Sequence, residues 1–165
     1  MNREQKIEAL KEKIASFKDE DFGEMLPCPK PDKKPKYLPP ENVHPRLCFT
    51  EKRLEEIRAT LNHEDNKYAY ESFVELYETE CDGEVRDFTD TRALSHMRII
   101  DADILTILTA KAFKYALTKD ELYGYEAIAG ILSYLKTFDL SQLPKVLAHY
   151  SAIAFIPKVA QVYDW

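Results

Sequence analysis

Apolar residues recur every three or four positions along most of this chain, and one stretch breaks the rhythm. Over 3–18, Ile7, Leu10, Ile14 and Phe17 share one side of a helix and charges occupy the others. The stripe is narrow. It suits a helix lying on its own domain, which we favour, or a docking helix for a partner. From 23 to 45 the period vanishes. Seven prolines (27, 29, 31, 35, 39, 40 and 45) fix φ and remove amide donors, so neither a helix nor a central strand can pass. An extended connector is expected, and its PKPDKKP run also fits a ligand of a proline-recognising domain.

The period resumes at Thr50. A threonine followed by Glu51 is an N-cap with an acid in the first turn, and Leu54, Ile57 and Leu61 continue at helical spacing. A second helix is expected over 64–80, with Tyr70, Phe73, Val74 and Tyr77 on its apolar side and closure at Cys81-Asp82-Gly83. A third, over 92–117, is apolar enough for substantial burial yet carries Arg98, Asp101 and Asp103. Thr118 and Glu121 have capping-box spacing, so the next helix, to about Lys136, folds back on the third. The final segment is helical, with Pro157 kinking or splitting it near Phe155. The organisation expected is a helix at 1–22, a Pro/Lys-rich linker at 23–45 and an all-α domain at 46–165 built of antiparallel helical hairpins.

Composition narrows the function classes. Four glycines in 165 residues disfavour phosphate loops and the tight turns of an all-β fold. The net charge of −6 is uneven: residues 1–60 carry +1 and residues 61–165 carry −7. Outside Lys30, Lys33, Lys34 and Lys36 there is no basic stripe, which argues against nucleic-acid binding. The acidic run of Glu71, Glu75, Glu78 and Glu80 reads as a solvated face before it reads as a cation site. Cys28, Cys48 and Cys81 lack metal-ligand spacing and read as free thiols. No metal or cofactor is implied. No apolar leader or membrane-length run occurs, so the chain as written reads as cytoplasmic, with no membrane partner.

Catalytic signatures are absent: no GxSxG, HExxH or P-loop. His44, His63, His96 and His149 are scattered, and none has a carboxylate at a spacing that forces a dyad. Three local patterns go further. His44-Pro45-Arg46-Leu47-Cys48-Phe49-Thr50 resembles the HPRLLFT segment of heparinase II/III-like polysaccharide lyases and related alginate lyases. There it leads into a helix of the form xxLxxLRxxL, similar to Lys52 to Leu61 here. Ala112 to Tyr123 resembles the family's A-x-x-Y-x-L-T-G-D-x-x-Y turn, with Lys119 where the family has glycine. Tyr163-Asp164-Trp165 resembles the YDW at the end of a later helix.

The resemblance covers residues 42–165. It implies a partial (α/α) toroid around a carbohydrate cleft and β-elimination at a uronic acid. A cationic or polar group neutralises the uronate carboxylate, a Tyr or His removes the C5 proton, and a Tyr or His protonates the leaving oxygen. In the family those residues lie beyond the YDW, so no catalytic residue carries over. The chain ends directly after that motif, which reads as a fragment, inactive alone. The partner implied is an acidic polysaccharide or oligosaccharide. Tyr163 and Trp165 are candidates to stack on a sugar and Arg98 to meet a carboxylate, beside packing roles for all three. The second hypothesis is a non-catalytic helical scaffold or interaction module. No fixed repeat period supports a tetratricopeptide-like array. An open helical array exposes an apolar face, which invites self-association.

Overall fold

The computed structural model describes residues 1–23, 43–45, 47–86, 102–142 and 156–165. The described residues are helical, with no strand among them. The helices are α1 (Arg3–Ser16), α2 (Glu51–Thr60), α3 (Lys67–Glu78), α4 (Ala102–Thr118), α5 (Glu121–Thr137) and α6 (156–164). Short 3-10 turns follow at Asp19–Phe22, Glu64–Asn66 and Leu140–Gln142. Most of the proline-rich linker, the 92–101 part of the predicted third helix with Arg98, and the expected kink near Phe155 lie outside the described residues.

Helix ends follow their side chains. Asn2 and Gln5 form a reciprocal capping box at α1, each side chain accepting the other's backbone N–H at 2.9 Å. Thr50 caps α2, its hydroxyl accepting from Arg53 N. The predicted box between Thr118 and Glu121 does not form. Thr118 is still in α4 and donates its hydroxyl to Lys114 O, while Asp120 caps α5 by accepting from Leu122 N. The reason is the shortness of the turn. Lys119 takes φ +57, so the chain reaches extended backbone one residue later, at Asp120. α3 also ends earlier than its Gly83 signal suggests, at Thr79, and residues 79–86 leave it without regular structure.

α4 and α5 form the centre. Leu108 meets Gly130, and the Tyr115 ring lies on Gly124. One core cluster gathers Leu105, Leu108, Ala127, Ile131 and Tyr134 with Val85 and Val162. A second gathers Leu54 of α2 with Ala116 and Leu117 of α4, and Phe49, Phe73 and Phe113 pack on it. Trp165 packs on both. Burying leucines such as Leu54 and Leu108 completely contributes about 2 kcal/mol each.

α1 lies against α5, as a packing helix of its own domain. Ile7, Leu10, Ile14 and Phe17 are half-buried, and no residue of α1 is fully buried. Ion pairs supply the rest. Arg3 pairs with Asp120, Lys6 with Glu126 at 2.5 Å, and Asp21, just after α1, with Lys136 at 2.8 Å. Such partly exposed pairs contribute little each and are screened by salt.

The backbone at Gly83 presses on α5. Its φ is +79, and a Cβ there would sit 1.9 Å from Gly130 O, a backbone atom that cannot move aside. Gly83→Ala is expected to destabilise by more than about 2 kcal/mol and lower Tm by roughly 4–8 °C. Gly23, at φ +76 with nothing within 4 Å, is the control. Gly23→Ala should cost only backbone strain, about 1 kcal/mol. Equal losses in thermal melts of the two variants would show that the contact with Gly130 carries no weight.

Candidate functional site

The three patterned segments meet in space. Asp164, at the end of α6, is only 4% exposed. One carboxylate oxygen accepts from His44 Nδ1 at 2.9 Å, and the other accepts from Leu47 N at 2.6 Å. The next residue closes the other side: Trp165 Nε1 donates to Leu47 O at 2.9 Å. Gln161, one turn back, donates to Cys48 Sγ. The consecutive residues Asp164 and Trp165 thus satisfy both backbone groups of Leu47, and residues 43–45 and 47–50 are held by hydrogen bonds although they have no regular structure. A buried carboxylate needs such donors, since desolvation without them is costly.

The clasp continues onto α4. The Phe49 ring stacks on Phe113 at 5.0 Å, and Trp165 packs on both at 5.2 and 5.5 Å. Phe73 of α3 meets Phe113 edge-on at 5.5 Å. From α2, Arg58 donates Nε to Leu117 O at 2.7 Å and Nη2 to Ala116 O at 2.9 Å. Those are carbonyls in the last turn of α4, where a cation is favoured by the helix dipole. Arg58 also grips Glu51 and holds that carboxyl below its usual range.

Beside the clasp lies an open groove of about 670 Å3. α5 and α6 form its walls, and His44, Tyr115, Tyr125, Tyr163 and Trp165 supply its aromatic lining. Tyr163 is 83% exposed on this groove. Trp165 is half-buried and packs on Phe49 and Phe113. Arg98 lies outside the described residues. The histidine–carboxylate pair of His44 and Asp164 was not legible from spacing, because 120 residues separate the two. Asp164 holds the imidazole through Nδ1, so any proton transfer at this ring would fall to Nε2.

A second polar cluster, also missed by spacing, lies between α3, α4 and α5. Lys111, only 3% exposed, donates to Tyr77 O at 2.8 Å and to Glu126 Oε2 at 2.5 Å. The other Glu126 oxygen meets Lys6 of α1. Lys114 sits 4.5 Å over the Tyr77 ring. Tyr123 donates its hydroxyl to Glu78 at 2.6 Å, and burial, reinforced by that carboxylate, pushes the phenol well above its usual range. Every one of these groups meets another part of the chain, which is the pattern of a structural network. No group of three or more His, Cys, Asp and Glu that could hold a metal ion occurs among the described residues. No helix among them is long and apolar enough to cross a membrane. No family model matches the chain, and comparisons with curated proteins and with solved structures gave no match.

Removing the buried Asp164 carboxylate leaves two part-buried hydrogen bonds without their acceptor. Asp164→Ala should destabilise by about 3 kcal/mol and His44→Ala, at a more exposed site, by about 1 kcal/mol. A double-mutant cycle in urea should return a coupling near 1 kcal/mol, and additive losses would contradict the pair. For the second cluster, Lys111→Met alone should cost about 3 kcal/mol, because Glu126 keeps only Lys6. Lys111→Met with Glu126→Leu should recover most of it, leaving about 1 kcal/mol for the unpaired Tyr77 carbonyl.

Proposed function

We propose that this chain is the N-terminal part of a polysaccharide lyase of the heparinase II/III-like kind, acting by β-elimination on a uronic-acid-containing polysaccharide. On this reading α4 and α5 are one antiparallel hairpin of an (α/α) toroid, and the groove beside α6 is part of a carbohydrate cleft. The observation that carries it is the meeting of the patterned segments. Residues 44–50, Arg58, the 112–123 turn and Tyr163-Asp164-Trp165 are far apart in sequence, yet each holds another. A shared structural task would explain why they occur together. Lys119 at φ +57 fits as well, since the resembling turn has glycine at that position.

On the same reading Tyr163, and the part of Trp165 that faces the groove, meet a sugar face, and Arg98 a carboxylate. The chain alone carries no catalytic residue and releases no product. A non-catalytic scaffold is the second reading. It is favoured by one observation: Asp164, the Trp165 indole N–H and Arg58 bond to backbone or side-chain groups of the chain itself.

Trp165 is the single tryptophan, so its fluorescence reports on the groove. Titration with uronate oligosaccharides should give a saturable change, with no ultraviolet absorbance from unsaturated uronate. Tyr163→Ala should weaken binding about three- to tenfold. An unchanged spectrum up to millimolar sugar would sink the lyase reading in favour of the scaffold.

A further inference from the structure

The contact between α1 and α5 borders more than a helix face. An open pocket of about 230 Å3 lies beside it, with Lys6, Leu10 and Lys13 of α1 on one side and Glu80, Cys81 and Asp82 on the other. Cys81 is half-buried there and packs on the main core cluster. Burial pushes its thiol up. Lys6 is 39% exposed where it meets Glu126, and Arg3 is 55% exposed where it meets Asp120, so salt reaches both pairs. The receiving side is also held from within. Lys111 binds Glu126 from within the core, and Asp120 caps α5 whether or not Arg3 is present.

We propose that α1 is a salt-released strap, docked by its basic residues on an acidic seat and shielding one side of the open pocket beside the half-buried Cys81. Screening weakens the ion pairs as ionic strength rises, since the Debye length falls from about 10 Å at 0.1 M to about 3 Å at 1 M. The half-buried apolar contacts of Ile7, Leu10 and Ile14 are not screened. The strap therefore opens a growing fraction of the time and does not detach outright. The opening is local, because α1 buries none of its own residues completely and α4 and α5 do not rely on it for their core. Regulation follows from the same geometry: ionic strength, or a change of charge on α1, sets the access of solutes to the thiol.

The test uses the whole chain with Cys28→Ser and Cys48→Ser, leaving Cys81 as the single thiol. N-ethylmaleimide is uncharged, so salt acts on the protein and not on the reagent's approach. Alkylation should speed up about fivefold between 0.05 and 1 M sodium chloride. Adding Arg3→Gln and Lys6→Gln should give the fast rate already at low salt and remove most of the salt dependence. Near-ultraviolet circular dichroism, reporting on the core tyrosines, should stay constant throughout. A rate independent of salt in the parent protein overturns the proposal. So does a salt dependence that the two substitutions leave intact, or a rate increase that tracks loss of the near-ultraviolet signal.

Discussion

The described structure depends on one buried carboxylate. Asp164 sits where the 43–50 segment, α6 and both core clusters come together, and its two oxygens are occupied by groups from a segment with no ladder of its own. Hydrogen-bonded regular structure cannot hold residues 43–50 in place. An ionised acceptor can, because bonds to charged groups are about twice as strong as neutral ones. Trp165 adds the apolar half of the same joint. Its ring packs against the stacked pair of Phe49 and Phe113, while its N–H donates to the Leu47 carbonyl, which an acceptor such as Asp164 cannot satisfy. Leu47 is fixed through both of its peptide groups, and α2 follows from there in a defined direction.

The elements legible in the sequence were those set by local chemistry. The period of Ile7, Leu10, Ile14 and Phe17 marks α1, Thr50 marks the start of α2, and the short 118–121 turn marks the junction of α4 and α5. Legibility failed by a residue or two where two caps competed. Thr118 has box spacing with Glu121, but a left-handed Lys119 hands the cap to Asp120. At the end of α3, Gly83 looked like a helix stop. It is instead a point of backbone contact with Gly130, a requirement set 47 residues away and invisible to local pattern. The site shows the same division. Tyr163 and Trp165 stood out as aromatic residues in a motif, whereas the His44–Asp164 bond and the Lys111–Glu126 pair arise only when helices pack.

Charge is distributed to match this division of labour. The acidic excess of residues 61–165 is answered in part by basic residues of α1 on its outer side, while Lys111 pairs with one of the acids within. Glu126 joins the two, with one oxygen facing the core and the other facing α1. A buried pair of this kind adds little net stability, since desolvation offsets most of the attraction. Its effect is positional: α1 meets α5 at one register, where Lys6 reaches Glu126 while Arg3 reaches Asp120.

The clasp also sets an order of events during synthesis. His44 and Asp164 are 120 residues apart, and translation proceeds at about 5–20 residues per second, so the 43–50 segment waits roughly 6–24 s for its partner. During that interval Leu47, Phe49 and the apolar side of α2 have no indole to pack against, while α4 and α5 can already pair. Asp164 and Trp165 thus lock a part of the domain that was made almost 120 residues earlier. A nascent chain arrested before Asp164 would present an aromatic surface that the finished protein covers, and would be the species most in need of a chaperone.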